Sequence, residues 1–201
     1  MGKGRLEAFS DGVLAVIITI MVLELKRPEG ASLEALRPIL PVFLAYVLSF
    51  LILAIYWNNH HHLMHAVEHV TGGVLWANMH LLFWLSLVPV TTDWMGEHPR
   101  EPWPVAIYAA VFLGAAIAYF FLTRTLLAHH GTDSVLARAL GSDKKGKLSG
   151  LAYAAAIPLA FVDTYISLGI IFVIALVWLV PDRRFEKLLA DDSHSHREAA
   201  S

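Results

Sequence analysis

The sequence predicts an all-α polytopic membrane protein with six transmembrane helices per subunit and both termini cytoplasmic. Three observations predict it. Of 201 residues, 57% are hydrophobic and only 16% charged, with mean hydropathy +0.58. Apolar stretches of membrane-spanning length recur along the chain, and Lys and Arg are shared unequally between the segments that join them. A soluble domain averages about 25% charged residues, and one of this size folding in water needs a polar skin over its core. The remaining solvent for so much apolar surface is lipid.

A span takes roughly 20 mostly apolar residues. The first is expected at about 7–25, where Val13 to Leu23 is almost unbroken; it opens on Ser10-Asp11-Gly12 and closes on Glu24, Lys26, Arg27 and Pro28. The second runs about 38–62, from Pro38 through Leu40–Tyr56 into Trp57. The third is about 72–92, with Pro89 near its end, and the fourth about 103–127. The stretch 147–181 is 35 residues, or about 52 Å as one helix at ~1.5 Å per residue. That exceeds a bilayer core of about 30 Å, so it is read as two spans, about 147–162 and 165–181, joined by a turn at Val162-Asp163-Thr164. Residues 1–185 then form one six-helix transmembrane domain, and 186–201 a short charged cytoplasmic tail.

Six spans put both termini on one side. Lys3, Arg5, Arg124, Arg138, Lys144, Lys145, Lys147, Arg183, Arg184, Lys187 and Arg197 fall on that side, against Lys26, Arg27, Arg37 and Arg100 on the other. Eleven against four makes the side of the termini cytoplasmic. Trp57, Trp94, Trp103 and Trp178 lie near span ends, as interfacial aromatics do. The N-terminus is not read as a cleavable signal, because Glu7, Ser10 and Asp11 stand where a signal is apolar.

Composition also excludes function classes. A net charge of −2 with pI near 6.6 gives no attraction to nucleic acid. With no cysteine, there are no disulfides and no thiolate metal sites or nucleophiles. No phosphate loop, dinucleotide fingerprint, nucleophile elbow or paired-carboxylate site is present. The T-V-G-Y-G filter of ordinary potassium channels is absent too.

The chemistry concentrates at the first span. Arg5, Ser10 and Asp11 enter it, and a charged residue in a span is costly unless paired. Arg5 with Asp11, or each with a neighbouring helix, are natural pairings; a plain N-cap by Ser10 or Asp11 is the other reading. Gly12, Val16, Ile20 and Leu23 fall at i, i+4, i+8 and i+11 on one face, bordered by Thr19. Spacing does not distinguish an apolar pore lining from ordinary helix packing. Among eleven histidines, His60, His61, His62, His65 and His69 cluster at the end of span two. His61, His65 and His69 share a face if the helix extends that far, which leaves open a wet helix end, a pH sensor or a Zn or Ni site. Asn78 and His80 are polar at membrane depth, where such groups usually bridge helices.

Arg5-Leu6-Glu7-Ala8-Phe9-Ser10-Asp11 reads R-x-x-x-F-S-D at the opening of the first span. It resembles the signature of the lysosomal potassium channel family, transmembrane protein 175, and its prokaryotic relatives. Trp57 and His60 fit that family's W-x-x-H, and Asn78 and Pro89 its N…P spacing. The resemblance implies a potassium-preferring, bacterial cell-membrane channel, a homotetramer with the first helix of each subunit lining the pore, permeant K⁺ and no cofactor, and no enzymatic activity. It implies a hydrophobic constriction at Val16, Ile20 and Leu23 and a potassium-preference role for Thr19. Arg5, Phe9, Ser10 and Asp11 then tie the first helix to its neighbours, with Trp57, His60 and Asn78 as partners. Val16 is smaller than the Ile or Leu usual at its position, which shifts the expected narrowest ring toward Ile20 or Leu23. The competing reading is a proton-coupled small-solute transporter using Asp11, His60 and Asn78 as a relay.

Overall fold

The computed structural model describes residues 2–65, 67, 69–130 and 143–179, with the side chains of 129 and 130 excepted. The expected tail from 186 and several of the counted basic residues lie outside them. All regular structure among the described residues is helical. The reason is solvation: in lipid each backbone N–H and C=O must be satisfied within its own segment, and a helix does this without a partner.

Helix α1 spans Lys3–Leu23. It starts about a turn before the expected residue 7, so Ser10 and Asp11 lie inside the helix and neither caps it; Gly2 is the N-cap residue. A 3₁₀ segment, Leu33–Ile39, leads into α2, Leu40–His65. Helix α3, Gly72–Ser86, is capped by the Thr71 hydroxyl, which accepts from the Val74 N–H. The rod then breaks at Leu87 and resumes as α4, Val88–Glu97, beyond the end expected near 92. The cause is Pro89, which has no N–H to give the preceding turn. Thr91 Oγ donates to the carbonyls of Leu87 and Val88, 3.1 and 3.2 Å away, at this break.

Helix α5 spans Pro102–His130. Helices α6, Lys144–Leu159, and α7, Thr164–Leu179, form the expected hairpin. Asp163 opens α7, accepting through Oδ1 from the Tyr165 N–H at 2.7 Å and the Ile166 N–H at 3.3 Å. By length and composition four stretches suffice to cross a bilayer, namely Lys3–Leu23, Leu33–His65, Gly72–Glu97 and Pro102–Ala128. Each helix of the hairpin has 16 residues, about 24 Å.

Helix α5 is the central post, packed on α3, α4, α6 and α7. Its inward face carries Tyr108, Ala109, Phe112, Ala115, Ala118, Leu122 and Leu126, all buried. Small residues let helices approach closely where lipid supplies no hydrophobic drive between them. Gly114 is the sharpest case, since a Cβ there would lie 2.3 Å from the Trp84 ring. Helix α1 stands to the other side, against α2, α3 and α4.

Candidate functional site

Helix α1 has two faces of opposite character. Leu6, Ser10, Leu14, Ile17 and Met21 are buried, at helical spacing along one side. On the other side Val16 is 56% exposed, Ile20 40% and Leu23 81%. Gly12 and Thr19 are exposed on that side as well. A single chain therefore leaves an apolar stripe of its first helix uncovered, with one hydroxyl in it. Thr19 Oγ donates to the Val16 carbonyl at 2.9 Å. Its only proton is used within the helix, so its remaining lone pairs are available as acceptors.

The buried face is pinned by a hydrogen-bonded chain that crosses three helices. His60 on α2 meets Asn78 on α3, Nε2 to Oδ1, at 2.8 Å. Asn78 Nδ2 donates to Ser10 Oγ on α1 at 2.9 Å. Ser10 Oγ donates to the Leu6 carbonyl, also 2.9 Å. All three side chains are buried. Since Oδ1 of Asn78 only accepts, His60 must carry its proton on Nε2. The chain ends on a backbone carbonyl. It does not contain Asp11, so the three residues of the transporter reading form no continuous relay.

Asp11 faces elsewhere. Its Oδ1 accepts from Trp57 Nε1 at 2.9 Å, tying α1 to α2. Arg5 is exposed, and no Arg5–Asp11 ion pair forms among the described residues. Of the two pairings expected for Asp11, the one with a neighbouring helix is found. Phe9 is half exposed on the same helix. The Trp57 ring stacks on His61, with centroids 5.7 Å apart.

The three-histidine face does not form. Helix α2 ends at His65, and His69 lies in the non-helical link to α3. Val67 in that link is buried, and its N–H donates to the Met64 carbonyl at 3.1 Å. His61 and His65 do meet edge to face, 4.5 Å between centroids, but no group of three metal-ligating side chains occurs among the described residues. His80 also departs from expectation. It is exposed, and accepts from Trp84 one turn along its own helix at 3.0 Å. Only Asn78 of that pair bridges helices.

Two contacts were not anticipated. Ser49, Thr92 and Tyr108 join α2, α4 and α5 through buried hydroxyls 2.7 and 2.8 Å apart. The signal for them, lone hydroxyls in apolar runs, is too common to single out. Lys26, just past α1, pairs with Glu97 at the end of α4. That partner holds the Lys26 ammonium above its ordinary pKa, first by the hydrogen bond and then by charge. Both ends of α1 are thus tied to other elements while its stripe is left bare.

The chain is similar to known proteins over most of its length. A family model described as the endosomal/lysosomal potassium channel TMEM175 matches residues 5–89. The chain is 52% identical over 192 residues to a potassium channel of Chryseobacterium sp. (strain P1-3), covering 96% of this chain and 100% of that one. It is 34% identical to a potassium channel of Streptomyces collinus, covering 88% of this chain and 91% of that one. Its fold is similar to the crystal structure of a lysosomal potassium-selective channel TMEM175 homolog from Chamaesiphon minutus. There the TM-score is 0.74 at 33% identity, over 89% of this chain and 96% of that one.

Proposed function

The chain belongs to the TMEM175 family of ion channels, multi-pass membrane proteins, and we propose that it forms a potassium-preferring pore lined by the exposed stripe of α1. The observation that carries this reading is the contrast between the two faces of that helix. One face is buried and pinned through Ser10; the other offers Val16, Thr19, Ile20 and Leu23 to whatever surrounds it.

Four copies with α1 at the centre cover the stripe and convert it into stacked apolar rings. Such rings give a cation nothing in exchange for its hydration shell, so a narrow one dewets and closes. Conduction then needs a slight widening that admits partly hydrated ions. The more easily dehydrated K⁺ and Cs⁺ pass in preference to Na⁺, with Thr19 supplying the one oxygen acceptor on the stripe. Val16, Ile20 and Leu23 act as gate and filter together. Arg5, Ser10, Asp11, Trp57, His60 and Asn78 are positioning residues that hold α1 in register. Both termini lie in the cytoplasm, on the side richer in Lys and Arg. The protein works without a cofactor or catalytic residue.

Ion flux through the purified protein in liposomes tests the reading, with K⁺, Na⁺ and Cs⁺ gradients compared in parallel. Passive flux with K⁺ and Cs⁺ above Na⁺, altered by Ile20→Asn, supports it. Flux strictly coupled to protons, or unchanged by Ile20→Asn, removes the pore-lining role of α1.

A further inference from the structure

Helices α2, α5, α6 and α7 line an open-sided cavity of about 610 Å³. This lies within the ~300–1,000 Å³ range of small-molecule sites. Its walls are apolar, with Ile52, Ile55, Ile117, Phe120, Leu151 and Ile174 among them. An apolar cavity of this kind does not hold water well. Gly150 lines it, and a Cβ built there would meet no atom within 4 Å.

Its polar lining includes Asp143 and Lys147 at the start of α6 and Asn59 on α2. Trp178 also lines the cavity and is fixed in place: its Nε1 donates to Ser149 Oγ at 2.8 Å, and the Lys145 ammonium lies 4.5 Å over the ring. Among the described residues, Lys144, Lys145 and Lys147 stand at this helix start beside Asp143, and Lys147 lines the cavity. Asp143 is already engaged as the α6 cap, accepting from the Gly146 N–H at 3.1 Å. Burial raises its carboxyl pKa, while that N–H and Lys147 oppose the rise.

We propose that the cavity is a lipid site holding one acyl chain of an anionic phospholipid, with the phosphate at the lysines that begin α6. The apolar walls fit the chain and the lysines fit the head group; basic side chains beside an interfacial Trp are where anionic heads reside. Because α1 packs chiefly on α2, α3 and α4, the α5, α6 and α7 walls of the cavity face the bilayer if α1 lines the pore. That orientation rests on the channel reading, whereas the test below measures binding and not flux.

Purified full-length protein in detergent is titrated with phosphatidylglycerol, with phosphatidylcholine of the same chains, and with the matching free fatty acid, and retained lipid is read by native mass spectrometry. Phosphatidylglycerol is expected to bind about tenfold tighter than phosphatidylcholine, one decade in Kd. Gly150→Phe, which fills the cavity, should reduce that binding by a similar factor with an unchanged unfolding temperature. The double variant Lys145→Gln/Lys147→Gln should remove the preference for the anionic head but keep residual binding. If Gly150→Phe does not fold, Ala116→Leu fills the same cavity from α5. Wild-type binding in the filled, folded variant overturns the proposal. So does equal retention of the two phospholipids, or a free fatty acid that outcompetes phosphatidylglycerol. Cross-linking of Ile117→Cys to a second copy would instead make the cavity a subunit interface, and overturns it as well.

Discussion

Asn78 donates from Nδ2 to the Oγ of Ser10 at 2.9 Å, joining α3 to α1 at a point where both side chains are buried. This contact sets the rotation of α1 about its own axis. Ser10 and Val16 are six residues apart, about 600° at ~100° per residue, which leaves them about 120° apart around the axis, so Val16 is turned away from the Ser10 face. Pinning Ser10 inward therefore turns Val16 outward.

Replacing Asn78 with Leu should expose how the network is coupled. His60 would keep its Nε2 proton with nothing to accept it, a buried orphan worth about 1–3 kcal/mol. Removing both members in His60→Leu/Asn78→Leu should recover part of that loss. Thermal unfolding in detergent of the two single variants and the double forms the test. Additivity within about 0.5 kcal/mol would mean that the two side chains do not act together.

Trp57→Phe keeps an aromatic ring beside His61 but removes the donor to Asp11. The pair is partly exposed, so the expected loss is at the low end for a single hydrogen bond, about 0.5–1 kcal/mol. Asp11→Asn retains an acceptor and should be milder than Asp11→Ala. The same unfolding assay ranks the three; a milder Asp11→Ala would show that the Trp57 contact does not hold α1.

Polar substitution on the stripe acts in the opposite sense from substitution on the buried face. If α1 lines the pore as proposed, Ile20→Asn should raise K⁺ flux on the order of tenfold, equivalent to ~1.4 kcal/mol off the barrier, because an amide would wet an apolar ring that sheds water. The control is Ile17→Asn on the buried face of the same helix, which should destabilise the fold and raise no flux.

Thr19→Val removes the only hydroxyl on the stripe at nearly constant shape. K⁺ and Na⁺ flux measured in parallel should converge, with total flux little changed. An unaltered ratio would assign selectivity to the apolar rings alone.

Gly114→Ala should be poorly tolerated, since the added carbon would stand 2.3 Å from the Trp84 ring. Overpacking of this sort costs about 1–3 kcal/mol. Trp84→Leu in the same chain should relieve most of it, as unfolding temperatures of the single and double variants would show.

Much of this protein was legible before folding. Composition gave lipid as the solvent and the apolar runs gave the helices, whereas Pro89, read only as near the end of the third span, proved to be where the rod breaks and resumes as α4. R-x-x-x-F-S-D and W-x-x-H pointed to Ser10, Asp11, Trp57 and His60, all of which make or border the contacts that tie α1 to α2 and α3. Other features depended on the other side of a contact. The end of α2 at His65 leaves His69 off the three-histidine face, and Ser49, Thr92 and Tyr108 meet only because three helices converge.

The sequence by itself determined where helices lie and that their surroundings are lipid, because hydrophobicity and backbone hydrogen bonding act along the chain. Which face of each helix turns inward was decided by tertiary structure. In a helix as apolar as α1, both sides gain similarly from leaving water. The choice falls to a few directional bonds, above all that between Asn78 and Ser10, whose partners are 68 residues apart in the chain.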